Sequence, residues 1–210
     1  TFNGASAATA IVNFDGSAET DGSYTITTLG TQAHIIVLGN GSDTYTSTNT
    51  AGVNTVTATA GNNTITTTAG ADIITLGSGS DTVSTGAAAD IIVSATANLN
   101  LNDTINGGAG TDVLQMSTDG SVVIDADFTN ITNVETLTMN AADKQLTATL
   151  GSLAAAAGIV TVTDTDTGGA FSLTLAAGFT NNMSVTTAVD AAVKTIDATN
   201  YTKVLTINAA

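Results

Sequence analysis

A carboxylate or amide side chain recurs at every ninth residue through the first half of the chain. A small residue lies two positions before each of these side chains, and a β-branched apolar residue lies two positions after it. Five consecutive registers match in all three columns, and they are centred on Asn54, Asn63, Asp72, Asp81 and Asp90. Carboxylate, amide and main-chain carbonyl oxygens are the ligands that hard divalent cations prefer. The spacing therefore predicts a row of cation-binding turns.

The same unit extends beyond these five registers, with small irregularities. Earlier in the chain it repeats around Asp43 after a two-residue insertion, and one register before that the column holds His34. A polar stretch after residue 93 interrupts the pattern, which resumes at Asp103. The cleanest copy is Gly-Gly-Ala-Gly-Thr-Asp-Val-Leu-Gln at residues 107–115, centred on Asp112. We call the residues at this position the aspartate column.

Each nine-residue unit divides into a six-residue turn and a three-residue strand that directs one apolar side chain inward. The turn needs glycine because a tight reversal requires positive φ. Two units make one full coil, so residues two registers apart stack on the same edge about 4.8 Å apart. Stacked aspartates repel each other unless a cation lies between them. The stacked pairs of aspartates are Asp72 with Asp90, Asp90 with Asp112, and Asp81 with Asp103.

Residues 107–115 resemble the nonapeptide of the RTX (repeats-in-toxin) family, whose parallel β-roll binds Ca²⁺. The resemblance is specific over about residues 38–115. It implies that aspartate carboxylates and turn carbonyls bind calcium. The implied carboxylate ligands are Asp43, Asp72, Asp81, Asp90, Asp103 and Asp112. The implied carbonyl ligands lie near Gly41, Gly70, Gly79, Gly108 and Gly110.

Two registers depart from the family pattern because they hold asparagine in the aspartate column. The gaps Asn54/Asp72, Asn63/Asp81 and Asp43/Asn63 therefore carry fewer charges, and we expect them to bind calcium weakly or not at all. Asparagines at such positions are expected instead to form an amide ladder along the stack.

From about residue 120 the period lengthens. Apolar pairs recur at steps of 23, 23 and 22 residues: Leu137/Met139, Val160/Val162, Met183/Val185 and Leu205/Ile207. A second strand precedes each pair and ends near Ile124, Leu150, Leu175 and Ile196. Alternation of apolar residues and threonine predicts half-buried strands. One short helical turn is expected within residues 150–157, where alanines cluster.

The whole chain is therefore predicted to be all-β, a right-handed parallel β-roll or β-helix solenoid. Residues 1–116 form the RTX-like β-roll, and residues 117–210 form a wider β-helix that continues the same stack. In the second part, Asp164, Asp166 and the glycine pair 168–169 suggest either an extra calcium turn or an ordinary solvated loop, and we favour the loop.

Charge and composition exclude several classes of function. Three lysines and no arginine oppose eighteen carboxylates, giving a net charge of −15 at pH 7, which repels nucleic acids and anionic membranes. There is no apolar run long enough to insert into a membrane. The chain has no cysteine and can form no disulfide bond, so bound metal is expected to stabilise the fold outside the cell.

Enzymatic activity is not expected. His34 is the only histidine, and without a His-Glu-x-x-His motif or cysteines it more readily fills a degenerate turn than a zinc or catalytic site. A glycosidase would need two carboxylates in a substrate groove, whereas the repeat already explains the aspartates. Threonine-rich strands at 55–57 and 64–66 suggest a water-ordering ladder as in ice-binding solenoids. We expect outward-facing Ile73 and Ile91 to interrupt it.

The second half is similar to the irregular β-helical parts of large RTX-type surface proteins, including S-layer proteins exported by type I secretion. The resemblance implies a structural calcium-binding segment of a secreted bacterial S-layer protein at the cell surface. The expected partners are calcium ions, further copies in a surface lattice and cell-surface polysaccharide. The alternatives are the stalk of a large RTX adhesin and the C-terminal RTX module of a secreted enzyme.

Overall fold

The computed structural model describes residues 2–4 (backbone only), 10–139 and 144–210. The described residues form 21 short β-strands, one 3-10 helix and one α-helix. Contacts divide the chain into two compact units. Unit 1 comprises Thr1–Val93 and Asn102–Asp112, and unit 2 comprises Ser94–Leu101 and Val113–Ala210. Strands pair in parallel within each unit, so the predicted all-β parallel solenoid is confirmed.

The strands of unit 1 alternate between two parallel sheets. The first sheet contains β1 (Phe2–Gly4), β3 (Thr25–Thr28), β5 (Thr44–Ser47), β7 (Thr64–Thr66), β9 (Thr82–Ser84) and β11 (Thr104–Asn106). The second sheet contains β2 (Asn13–Asp15), β4 (His34–Val37), β6 (Asn54–Thr57), β8 (Ile73–Thr75) and β10 (Ile91–Ser94). Consecutive strands lie on opposite sheets, so two repeats complete one coil, as the spacing predicts.

Each sheet of unit 1 directs one column of apolar side chains into the core. The first column contains Ile26, Tyr45, Ile65, Val83 and Ile105, and the second contains Ile36, Val56, Ile74 and Ile92; each is at most 1% exposed. Because the strands pair in register, each side chain packs on its equivalent in the next coil. Burying one such side chain contributes about 1.5–3 kcal/mol. The inward apolar position of the nonapeptide is therefore the core of this unit.

The outer faces of the two sheets differ in chemistry. On the first sheet, outward-facing threonines align from coil to coil, in the order Thr25, Thr44, Thr64, Thr82 and Thr104. On the second sheet the equivalent column includes Ile73 and Ile91. Because Ile73 pairs with Thr55, the isoleucines interrupt the threonines of the second sheet, as expected. The threonine column of the first sheet is not interrupted, because successive repeats lie on opposite sheets.

Unit 2 has longer coils. Its larger sheet contains β12 (Val113–Met116), β15 (Thr136–Met139), β17 (Thr161–Asp164), β19 (Met183–Thr187) and β21 (Leu205–Ala209). Its smaller sheet contains β13 (Ser121–Val123), β16 (Leu146–Leu150), β18 (Phe171–Leu175) and β20 (Lys194–Asp197). The remaining elements are a 3-10 helix (Asp125–Phe128), β14 (Ile131–Thr132) and α1 (Ser152–Ala157). The described helices lack the length and hydrophobicity that a membrane crossing requires.

The register of the larger sheet differs from the predicted spacing at one step. Leu137 pairs with Val162, whereas the 23-residue step predicts Val160, which lies before β17 and is 38% exposed. The step is longer because the turn between β16 and β17 contains α1. This turn has more residues than the turn between β18 and β19. The next two pairings, Val162 with Val185 and Val185 with Ile207, agree with the predicted steps.

The short helix α1 is held by a carboxylate from the preceding coil. Asp125 Oδ1 accepts hydrogen bonds from the main-chain amides of Gly151 (2.8 Å) and Ala154 (2.9 Å), and Oδ2 accepts one from Leu153 (3.3 Å). These amides are among the four at a helix N-terminus that have no partner within the helix. The helix ends at Gly158, whose φ is 112°. The predicted single helical turn is confirmed.

Replacing Asp125 with alanine should destabilise unit 2 by about 1–2 kcal/mol, because several helix amides lose their acceptor. Asp125→Asn keeps one acceptor oxygen and should recover most of this loss. Urea denaturation of the two variants and the wild-type chain measures the difference. Equal destabilisation by both substitutions would show that the negative charge, rather than the hydrogen bonds, is what matters.

Candidate metal centre

The aspartate column forms two lines of buried side chains, one on each sheet of unit 1. Every predicted carboxylate ligand precedes its strand by one residue and is at most 2% exposed: Asp43, Asp72, Asp81, Asp90, Asp103 and Asp112. Charged side chains are rarely buried to this degree unless they are paired or bind a metal. The partners of these carboxylates therefore decide what the column does.

Each aspartate of the column accepts a hydrogen bond from the main-chain N–H of the equivalent residue one coil earlier. The main-chain N–H of Asp72 donates to Asp90 Oδ1 (2.7 Å), and that of Asp90 donates to Asp112 Oδ1 (2.8 Å). On the other sheet Asp81 donates to Asp103 Oδ1 (2.8 Å). The three aspartate pairs predicted from the spacing are therefore stacked on successive coils, and this part of the prediction is confirmed.

The second carboxylate oxygen is left without a hydrogen bond at four described positions. These oxygens are buried, and they are the Oδ2 atoms of Asp43, Asp72, Asp81 and Asp90. A buried anionic oxygen without a partner costs on the order of several kcal/mol. A row of such oxygens, beside turns rich in main-chain carbonyls, has the donor chemistry that Ca²⁺ requires.

The turns that precede the column residues pack main chain against main chain. A Cβ atom on Gly79 would lie 2.2 Å from the carbonyl oxygen of Gly61, and one on Gly110 would lie 1.8 Å from that of Ala88. Gly79 also has a φ of +127°. The five glycines predicted as carbonyl ligands all lie in these turns: Gly41, Gly70, Gly79, Gly108 and Gly110. Close stacking of the turns explains why the repeat needs glycine here.

Burial shifts the protonation equilibrium of the column. It raises the pKa of Asp72, Asp81 and Asp90, and the pKa of Asp90 reaches about 6. For Asp90 the neighbouring charges of Asp72 and Asp112 raise it further, while the hydrogen bond from the Asp72 amide opposes them. A bound cation would reverse this shift, because it stabilises the charged carboxylate.

Within the described ranges, no three acidic, histidine or cysteine side chains converge to hold a metal ion. The column explains this result because each of its two lines supplies only one side chain per coil. A cation between two coils would meet two carboxylates and would need carbonyl oxygens to complete its coordination, as calcium sites commonly do.

The two asparagines of the column pair with carboxylates of the next coil. Asn54 Nδ2 donates to Asp72 Oδ1 (2.9 Å), and Asn63 Nδ2 donates to Asp81 Oδ1 (3.1 Å). Asn63 Nδ2 also lies within hydrogen-bond distance of the Gly61 carbonyl (3.2 Å). The expected ladder of amides is wrong, because Asn54 and Asn63 belong to different sheets and cannot stack. The amide instead places a donor beside the next carboxylate.

His34 occupies the aspartate column, as expected. It aligns with Asn54 in the neighbouring strand, and its Nδ1 accepts a hydrogen bond from the Val12 amide (3.0 Å). Burial lowers the pKa of His34, against a main-chain hydrogen bond with Leu29, so the ring is neutral at pH 7. His34 therefore serves as an acceptor for the preceding coil, as the aspartates do.

Asp164 and Asp166 in unit 2 do not form a solvated loop. They are 0% and 6% exposed, and Asp166 Oδ1 accepts hydrogen bonds from the amides of Gly168 (2.6 Å) and Gly169 (2.7 Å). The ammonium of Lys194 lies 2.9 Å from Asp164 Oδ2. The expected solvated loop is therefore wrong. Lys194, thirty residues from Asp164 in sequence, lies beside its carboxylate and compensates its charge. The sequence signal for this ion pair is the position of Lys194 in its strand, where the side chain faces inward.

A parallel β-solenoid that buries one acidic or amide side chain in each turn defines a class of cation-binding repeat fold. Residues 48–83, 66–95 and 101–115 match the RTX calcium-binding nonapeptide repeat (4 copies). These segments include five of the six predicted aspartates; Asp43 lies before them. The chain therefore carries RTX calcium-binding repeats, and its solenoid supports assignment to the RTX β-roll family. Comparisons with curated proteins and with solved structures gave no match.

The raised pKa of Asp90 predicts the pH dependence of the calcium-free chain. Because the folded state holds its proton up to about pH 6 and the unfolded state only to about pH 4, stability should fall as pH rises through this window. The loss attributable to Asp90 is on the order of 2–3 kcal/mol.

Urea denaturation in EGTA at several pH values measures this dependence. Asp90→Asn keeps the acceptor for the Asp72 amide and should flatten the slope. Asp21→Asn, which removes one charge at an exposed position, serves as the control. A slope unchanged in Asp90→Asn would assign the dependence to other groups.

Proposed function

We propose that this chain is a structural, calcium-bound segment of a secreted bacterial cell-surface protein of the S-layer kind. Calcium ions between stacked turns of unit 1 link one coil to the next. The observation that carries this proposal is the buried Oδ2 atom without a hydrogen bond, repeated at Asp43, Asp72, Asp81 and Asp90. The match to RTX calcium-binding repeats supports it independently.

The strongest sites are the gaps bounded by two aspartates, namely Asp72/Asp90, Asp90/Asp112 and Asp81/Asp103. Main-chain carbonyls near Gly41, Gly70, Gly79, Gly108 and Gly110 are the proposed additional ligands. The gap between Asp43 and Asn63 holds one carboxylate and is the weaker site. Bound calcium supplies positive charge where two buried carboxylates face each other, and the chain supplies the oxygens and the exclusion of water.

Calcium binding and folding are coupled in this arrangement. Without the ion, hydrogen bonds alone stabilise the buried negative charges of the column. An ion that binds the folded chain and not the unfolded one adds about 2.7 kcal/mol per site at a hundred times its dissociation constant. Type I export would deliver the chain from a cytosol poor in calcium to a medium rich in it, so folding would follow secretion.

A structural role fits the position of the carboxylates better than catalysis does. The six aspartates of the aspartate column lie inside the turns, at most 2% exposed, where they bind the main chain of the preceding coil. A substrate in solution cannot reach them. RTX repeats serve here as architecture, with the ion as a cross-link between coils.

Converting Asn63 to aspartate tests the metal assignment directly. In EGTA, Asn63→Asp loses the amide donor to Asp81 Oδ1 and places two buried carboxylates together, so the chain should be destabilised by about 1–3 kcal/mol. In excess calcium the gaps on both sides of residue 63 are bounded by two carboxylates, so the chain should bind at least one additional ion and the loss should disappear. Urea denaturation in both conditions and calorimetric titration of calcium measure these effects.

Asn62→Asp is the matched control, because it adds the same charge at the adjacent, exposed residue. It should change neither ion stoichiometry nor calcium dependence. A loss of stability in Asn63→Asp that calcium does not relieve would contradict the site. Circular dichroism of the wild-type chain that is identical with calcium and with EGTA would contradict the coupling of binding to folding.

The S-layer assignment predicts calcium-driven assembly. A chain with a net charge of −15 repels its copies in the absence of divalent cations, and calcium should allow two-dimensional sheets that electron microscopy detects. Monomeric rods in calcium would contradict the lattice and favour the adhesin stalk. This outcome is independent of whether the turns bind calcium.

A further inference from the structure

Unit 2 contains a buried acidic cluster that lies outside the nonapeptide repeats. Asp164 ends β17, Asp166 follows in the next turn, and Asp190 lies in the corresponding turn after β19. The side chains of Asp164 and Asp190 are 1% and 6% exposed, and residue Asp166 is 6% exposed. Asp164 Oδ1 and Asp166 Oδ2 are buried and have no hydrogen bond. With Lys194, we call this group the Lys194 cluster.

The ammonium group of Lys194 lies between the carboxylates of two turns. Its Nζ is 2.9 Å from Asp164 Oδ2 and 3.4 Å from Asp190 Oδ2. Nζ also donates to the carbonyl oxygen of Gly169 (2.9 Å). One positive charge thus contacts two carboxylates and one main-chain carbonyl, which are the kinds of oxygen that a calcium ion between two coils would bind.

Lys194 reaches this position from a core column. It pairs with Phe171, which pairs with Leu146, and both of these side chains are buried. The Lys194 side chain is only 16% exposed. A lysine in an apolar column requires an acidic partner, and Asp164 raises the pKa of Lys194 against the opposing effect of burial. The lysine therefore stays charged inside the turn stack.

The other acids of the cluster have main-chain donors. Asp166 Oδ1 accepts from Gly168 and Gly169, and Asp190 Oδ1 accepts from the Ala192 amide (2.7 Å). Asp164 also accepts a main-chain hydrogen bond from Asp166, but its positively charged donor is Lys194. The ammonium is therefore the group that allows Asp164 to be buried as a carboxylate.

We propose that Lys194 is the resident cation of this turn stack and replaces the calcium ion that the turns of unit 1 bind. The coils formed by β17, β18, β19 and β20 then hold together without calcium. The comparison with unit 1 rests on the proposed function, whereas the role of Lys194 within unit 2 does not. The chain accordingly contains a calcium-dependent part and a part stabilised by its own ammonium group.

Hydrogen exchange of the whole chain, followed by mass spectrometry, tests this proposal. Peptides covering β18 and β20 should exchange at the same rate in calcium and in EGTA, while peptides covering β8 and β9 should exchange faster in EGTA. In Lys194→Met, exchange in β18 and β20 should accelerate about tenfold or more in EGTA, because a buried carboxylate loses its partner. Added calcium should slow it again by occupying the vacated position.

Lys203→Met is the matched control, because it removes the same charge at an exposed residue and should exchange like the wild-type chain. Unchanged exchange in Lys194→Met, or acceleration that calcium does not reverse, would overturn the replacement of metal by lysine. Calcium-dependent protection of β18 and β20 in the wild-type chain would overturn it as well. Calcium-independent protection of β8 and β9 would instead contradict the function proposed for unit 1.

Discussion

The structure depends on a hydrogen bond from one coil to a buried side chain of the next. The main-chain N–H at or just before the start of a strand in unit 1 donates to the following coil, and a carboxylate accepts it at Asp72, Asp81 and Asp90. The repeat therefore has to bury one polar side chain per turn. Glycine in the turns follows from this constraint, since the carboxylate reaches the neighbouring coil only when the main chains pack closely. The short strands follow as well, because each coil contributes only one inward apolar residue per sheet.

The buried charge has three different partners along the chain. At Asn63 an amide takes the place of a carboxylate and donates to Asp81, so no second negative charge faces Asp81 from this position. At Asp164 an ammonium group lies beside the acid. Between Asp72 and Asp90 two carboxylates are stacked, and this is where we propose calcium. The same fold thus combines turns whose stability depends on calcium to different degrees. We therefore expect calcium dependence to vary along the chain.

Much of unit 1 can be predicted from sequence because its repeat is short and regular. The nine-residue spacing places Asp72 on Asp90 and Ile74 on Ile92 without further information. Unit 2 is harder to predict because its turns vary in length: α1 shifts the partner of Leu137 from Val160 to Val162. The burial of Asp164 depends on a lysine thirty residues away, which local patterns do not reveal. The threonine column of the first sheet is hard to recognise in the sequence, because its members come from alternate repeats and the repeats between them belong to the other sheet.

The hydrogen bonds of the aspartate column all run in one direction. The amide belongs to the earlier coil and the acceptor to the later one, from Tyr24 and Asp43 through to Asp90 and Asp112. The column therefore has a direction, and removing an acceptor from it leaves an amide of the preceding coil without its partner. In a stack that forms from its N-terminal end, every coil stays incomplete until the next coil has formed. The last coil to form is then the least protected.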